Sequence, residues 1–165
     1  MPDRAIISDS SCLIALTDIG KLEILNDLYK EVVITPEVVS EYKKPLPSWI
    51  GVKEVENKAL VAELRGNNFG SGEAASIALA LESKSYILIL DETRARNFAL
   101  KKGLEVTGTL SVIAAACNLG YIENYDKTCD DLRKADFRFT KELQETVKKN
   151  AIKKTSQSPS TGRKR

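Results

Sequence analysis

Three short stretches of this chain are apolar almost without interruption: AIIS at residues 5–8, EVVIT at 31–35 and YILIL at 86–90. Runs this short, with no polar alternation, read as strands buried on both faces rather than strands with one wet side. Helical spacing follows each of them. Residues 11–16 and then Leu22, Ile24, Leu25 and Leu28 form one such segment, broken at Gly20. After the second strand, Pro36 takes the first position of a helix behind the N-cap candidate Thr35, and Pro45 and Pro47 end that helix. A short extended piece is read at 52–55, a helix at 56–65 and a glycine-rich loop at 66–72. A small-residue helix then runs from Ser71 through Leu81. Behind YILIL come a helix at 93–102 closed by Gly103, a fourth strand at 104–107, an alanine-rich helix at 110–118, and helices near 126–134 and 141–149. Strands alternating with helices imply an α/β fold in which a mostly parallel sheet of four or five strands is covered on both faces.

A length of 165 residues suits one domain, expected over residues 1–147. Beyond it the composition changes. Seven of the 25 basic residues and none of the 23 acidic ones lie from Lys148 onward, which leaves 18 basic against 23 acidic in the body, a balance of −5. Residues 148–165 end in TSQSPSTGRKR and read as a disordered basic tail, either a solubilising end or a loose phosphate-binding arm.

No histidine occurs anywhere. Serine and cysteine hydrolases with a histidine base, histidine-based nucleases and nearly all catalytic zinc sites are thereby excluded. A metal, if one is used, must be held by oxygen, which favours Mg²⁺ or Mn²⁺. The cysteines Cys12, Cys117 and Cys129 form no closely spaced pair, against a zinc site and in favour of a reduced cytoplasmic setting. No apolar run nears the length of a membrane span, and MPDRAIISD lacks the apolar stretch of a signal peptide, so no membrane association is expected.

In open α/β sheets ligands gather outside the carboxyl ends of the strands. Asp9 and Asp91 each end a strand run, Glu41 lies five residues into the helix after the second strand, and Glu73 stands in the first turn of the alanine-rich helix. Each has an ordinary alternative: Asp9 and Asp91 as helix N-caps, Glu73 as a complement to its helix dipole, Glu41 as plain surface. The joint placement of four acids from four segments at one sheet edge is what points to a site.

These segments carry a resemblance. IISDSSCLIAL resembles the opening of PIN-domain proteins, ITPEVVSEY their second motif, and GSGEAASIALA and LILDETRAR the third and fourth motifs of a smaller VapC-like branch of unknown-function prokaryotic proteins (DUF3368-like), with GLEVTGTLSVI completing the pattern. The resemblance spans residues 5–147 and implies a PIN-like three-layer α/β/α sandwich. It makes Asp9, Glu41, Glu73 and Asp91 an acidic quartet that is both catalytic and metal-ligating, holding Mg²⁺ or Mn²⁺ to cleave single-stranded RNA. Most PIN nucleases carry Asp where Glu73 stands, so its contact to metal is either direct or through water. Asp91 is favoured over its neighbour Glu92 because Asp91 ends the strand. Two divalent ions about 4 Å apart can hydrolyse a phosphodiester without histidine.

Ser10 or Ser11, and Thr107 or Thr109, are candidates to orient a water or a phosphate oxygen, with helix capping as the alternative. Arg94 is a candidate phosphate contact or a surface ion pair; Trp49 either stacks a base or packs a loop. The resemblance further implies a toxin of a toxin–antitoxin pair, an antitoxin protein as partner, and a homodimer. The alternative function is a PIN-fold module that binds RNA or protein with little cleavage. A phosphotransfer protein of the haloacid-dehalogenase type fits worse, since it wants a second Asp at the position of Ser11.

Overall fold

A computed structural model describes residues 4–83 and 85–157, the side chains of 152–157 excepted. It is an α/β fold whose five strands form one all-parallel sheet in the order β3-β2-β1-β4-β5. The strands are β1 (Ala5–Ser8), β2 (Glu31–Ile34), β3 (Ile50–Val52), β4 (Tyr86–Ile89) and β5 (Val106–Thr107). Between them run α1 (Ser10–Asp18), α2 (Glu23–Leu28), α3 (Pro36–Tyr42), α4 (Lys58–Gly66), α5 (Ser71–Ser83) and α6 (Thr93–Lys101); α7 (Thr109–Asn118), α8 (Tyr125–Lys134) and α9 (Lys141–Gln157) follow. Within the described residues the chain divides into two compact units, the first ending at Thr109 and the second beginning at Leu110.

In the first unit the central strands are sealed on both sides. Every residue of β4 is buried, as are Ile6, Ile7 and Ser8 of β1. Successive strand residues face opposite ways, so Ile7, Val33 and Leu88 present one face and Ile6, Val32 and Ile87 the other, locked by the register Ile7–Val33 and Ile7–Leu88. The first face packs with α5, whose Ala74, Ala75, Ile77 and Ala78 have no exposed surface. Alanines along that stripe leave no side-chain bulk between helix and sheet.

Local signals end the helices where chain chemistry requires. Thr35 caps α3 by accepting the Val38 N–H at 3.2 Å, with Pro36 at the first turn. The α3 helix stops at Tyr42, before the prolines, because Lys43 turns left-handed at φ 63°. Gly103, at φ +84°, closes α6 with the Leu104 N–H on the Ala99 carbonyl and its own N–H on that of Leu100.

Three boundaries differ from the sequence reading. The third strand lies at Ile50–Val52 instead of 52–55; it is a sheet edge with Gly51 and Val52 exposed, so it has no apolar run to announce it. The fourth-strand segment pairs only at Val106–Thr107. Helix α9 continues through the basic residues 148–157, beyond the expected end near 149; residues 158–165 of the tail lie outside the described residues. In the second unit, α8 and α9 are joined by Asp126, which accepts from Gln144 Nε2 at 3.0 Å and from Lys148 Nζ at 2.5 Å. Lys148 therefore belongs to a folded contact. Cys12, Cys117 and Cys129 are free thiols. No helix among the described residues is long and apolar enough to cross a membrane.

Replacing Ala78 by Leu forces four carbons' worth of side chain into a gap closed to solvent. The expected cost is about 1–3 kcal/mol, seen as a lower urea midpoint with unchanged slope; an unchanged midpoint would mean that α5 does not pack tightly on the sheet.

Candidate active site

From β1 the chain moves to β2 and β3 on one side and then returns to β4 on the other. Such a reversal opens a crevice at the carboxyl ends of the two strands between which it occurs. Asp9 follows β1 directly and Asp91 comes two residues after β4. Ser8 pairs with Ile89, and the Asp9 N–H donates to the Ile89 carbonyl at 3.3 Å. The two acids therefore flank the switch point.

Asp9 is only 4% exposed. Its Oδ1 accepts the Cys12 N–H at 3.1 Å, which makes it the N-cap of α1, and its Oδ2 accepts the Ser11 hydroxyl at 3.2 Å. Asp91 does not cap α6. That task falls to Glu92, whose carboxylate accepts the Ala95 N–H at 2.8 Å. Both oxygens of Asp91 instead go to Thr109: Oδ1 accepts its N–H at 2.9 Å and Oδ2 its hydroxyl at 2.6 Å.

Glu41, on α3, accepts the Ser10 hydroxyl at 2.6 Å and the Gly72 N–H at 3.0 Å. Only glycine allows the second contact. A Cβ at residue 72 would lie 3.0 Å from the Glu41 carboxyl carbon and overlap its Oε1. Gly108 lies close to Asp91 as well: a Cβ there would stand 3.0 Å from Asp91 Oδ1, whose donors come from Thr109. Glu73, in the first turn of α5, reaches back to accept the Gly70 N–H at 3.2 Å.

Three of the hydroxyl candidates thus each bind a carboxylate: Ser10 on Glu41, Ser11 on Asp9, Thr109 on Asp91. Thr107 ends β5, and its carbonyl accepts the Leu90 N–H at 3.0 Å. Arg94 is turned toward the loop before α5, where its charge acts on Glu73. Its guanidinium donates to the Asn67 carbonyl and sits 4.3 Å from the centre of the Phe69 ring. The cation beside Asp91 is Arg96, which donates to the Leu90 carbonyl at 2.9 Å. Helix side chains lean toward the N-terminus; Arg96, the fourth residue of α6, therefore reaches back over the first turn, a directional cue that ranking by sequence distance misses. Trp49 lies half-buried in the turn before β3.

The acids disfavour one another's charge. Burial, then the charge of Asp91, raises the Asp9 carboxyl from its ordinary 3.8 to about 8, against the pull of the Cys12 and Ser11 hydrogen bonds; Glu73 adds to the rise. Burial also raises Asp91, opposed by its two bonds from Thr109 and by Arg96. Glu73 is raised chiefly by burial, with Glu92 and Glu41 adding and the Gly70 N–H and Arg94 opposing. Among the described residues no three acids already stand at the spacing of a formed metal cluster. The donors nonetheless fit a hard divalent cation: they are carboxyl oxygens only, Asp9 is buried and Asp91 half-buried, and Arg96 is the guanidinium beside Asp91. Asp9, Asp91 and Glu73 are the residues able to hold it, with Glu41 joined to them through Gly72 and Ser10.

Between about pH 4 and pH 8 the folded protein holds a proton on Asp9 that the unfolded chain has released. Stability without metal is therefore fully present below pH 4 as far as this group is concerned. It falls as pH rises through that window, by at most about 1.4 kcal/mol per unit. Asp9→Asn removes the charge and keeps the cap, since Asn caps as well as Asp. Urea melts in EDTA at pH 5 and pH 8 should show wild type losing stability and the variant losing less; equal losses would mean that Asp9 is not strained by its charge.

The family model DUF3368, a PIN domain, matches residues 5–153, from β1 into α9 and across all four acids. Comparison with curated proteins finds no match. With an all-parallel five-stranded sheet and a family match over nearly its whole length, the chain belongs to the PIN domain family.

Proposed function

We propose that this PIN domain is an endoribonuclease that cuts single-stranded RNA with Mg²⁺ or Mn²⁺. The observation that carries the reading is the pair Asp9 and Asp91, a buried and a half-buried carboxylate acting on each other across the switch point of the sheet. A fold gains nothing from burying two like charges together, whereas a cation site requires it. PIN domains are generally nucleases, and they typically use divalent metal ions.

A divalent ion, when bound, supplies positive charge to a phosphate and lowers the pKa of an attacking water. The protein's own residues prepare for it. Ser11 and Thr109 donate to Asp9 and Asp91 and fix the planes of those carboxylates. Each carboxylate keeps lone pairs beyond the ones these donors use. Ser10 and Gly72 hold Glu41, and Arg96 steadies Asp91. Glu92 caps α6, and Asp91, which ends the strand run, is the one of the two assigned to the metal in this reading. Glu73 has one tether, at Gly70, and one more methylene than Asp with which to extend. The resemblance to VapC-like proteins extends the reading to the toxin of a toxin–antitoxin pair, a homodimer restrained by an antitoxin protein.

Labelled single-stranded RNA should be cut in Mg²⁺ or Mn²⁺ and left intact in EDTA. Asp9→Asn and Asp91→Asn should each lose at least about 100-fold, the order expected when a metal clamp is disabled. Wild-type rates in both variants would overturn the quartet.

The same metals should raise the melting temperature of wild type. Binding at about 100 times Kd is worth roughly 2.7 kcal/mol, a few degrees for each kcal/mol in a domain of this size. Asp9→Asn should abolish the rise. Gly72→Ala should slow cleavage by displacing Glu41 while leaving the metal-free melt nearly unchanged, because the overlapping atoms are the end of a flexible side chain.

A further inference from the structure

Helix α6 carries three cations, Arg94, Arg96 and Lys101, with Lys102 as its C-cap, and no acid between Thr93 and Lys102, on a body whose balance is acidic. Arg94, Asn97, Phe98 and Lys101 stand at i, i+3, i+4 and i+7, one face of the helix. That face lines a groove of about 550 Å³ together with Asn67, Phe69, Glu92 and Thr93. Its floor is aromatic: Phe69 and Phe98 pack at 5.4 Å between ring centres. Arg94 lies over Phe69 at 4.3 Å, and its guanidinium donates to the Asn67 carbonyl. The guanidinium plane is thus held by a ring on one side and a carbonyl at its edge, while the residue as a whole remains exposed.

The groove adjoins the acidic site along the chain at two points. The loop that supplies Asn67 and Phe69 continues to Gly70, whose N–H holds Glu73. The helix that supplies Arg94 begins two residues after Asp91.

We infer that this groove is a nucleobase subsite, in which a base beside the cleaved phosphate stacks on the Arg94 guanidinium, with the exposed Asn97 amide at the base edge and Lys101 on a neighbouring phosphate. A planar cation braced by an aromatic ring is a stacking platform for a base. Lys101, seven residues or ~10 Å along the helix, places a compact positive charge where the strand continues. Arg94 and Lys101, the two cations on this face, make it complementary to a phosphodiester chain rather than to a basic or neutral partner. The assignment rests on the single-stranded RNA reading of the acidic site, and it adds a base requirement that the acids cannot impose.

Fluorescence anisotropy in EDTA separates the two readings, because it measures binding without cleavage. The probes are a labelled oligouridylate of about eight nucleotides and the same chain with its bases removed. Wild type should bind the oligouridylate about tenfold more tightly than the abasic chain. Arg94→Ala and Arg94→Lys should both erase most of that difference, the lysine variant because it keeps the charge and loses the plane. Lys101→Ala should weaken both probes alike and reduce the salt slope by about one. Circular dichroism melts identify any variant that has lost its fold, and the exposed Asn97→Ala then serves as the second probe of the groove.

Equal affinity of wild type for the two probes, no binding of either, or full discrimination by Arg94→Lys would each overturn the subsite. A protein that discriminates bases in this way yet fails to cut RNA with Mn²⁺ would keep the subsite and lose the nuclease. One that cuts RNA with Arg94 immaterial would do the reverse.

Discussion

Holding the buried Asp9 and the half-buried Asp91 together at the ends of two adjacent parallel strands is the constraint around which the site is organised. Each carboxylate must recover in hydrogen bonds part of what it loses by leaving water. The donors come from short, fixed geometries: the first turn of α1 supplies the Cys12 N–H and the Ser11 hydroxyl, and the start of α7 supplies both donors of Thr109. Neither acid shares a donor with the other, so each can be held in place while their charges still repel. That residual repulsion helps raise the Asp9 carboxyl, and it is what a bound cation would relieve.

Two glycines complete the arrangement by what they lack. At Gly72 and Gly108 the backbone comes so close to Glu41 and Asp91 that an added methyl group would displace those carboxylates. Their role is close approach, since neither is among the glycines with positive φ. In both cases the glycine immediately precedes a residue engaged in the site, Glu73 in one and Thr109 in the other. A loop with larger residues could keep the helix and lose the alignment.

Helix α6 divides its residues between two tasks. Its first turn belongs to the strand ends: Glu92 satisfies its own helix, and Arg96 leans back to the Leu90 carbonyl and Asp91. Its outer face belongs to the groove. Arg94 and Arg96 are two residues apart, so they point to different sides of the helix, and that separation distinguishes a residue that steadies the acid from one exposed beside it.

The sequence by itself determined the elements. Unbroken apolar runs marked β1, β2 and β4; Thr35 with Pro36 and the glycine at 103 marked helix ends; and an acid after a buried run marked Asp9 and Asp91 as residues at the carboxyl edge of a parallel sheet. Each of these signals is local, encoded within a few residues by periodicity or by capping. What only the tertiary structure decided involves pairs distant along the chain. Thr109 meets Asp91 across 18 residues, Gly72 meets Glu41 across 31, and Ser10 meets Glu41 across the same span. No spacing rule carries those pairings, because they depend on strand order and register. Nor could periodicity reveal the edge strand β3, which is too exposed to need apolar residues, or the choice between Arg94 and Arg96, which turns on the direction in which a helical side chain leans.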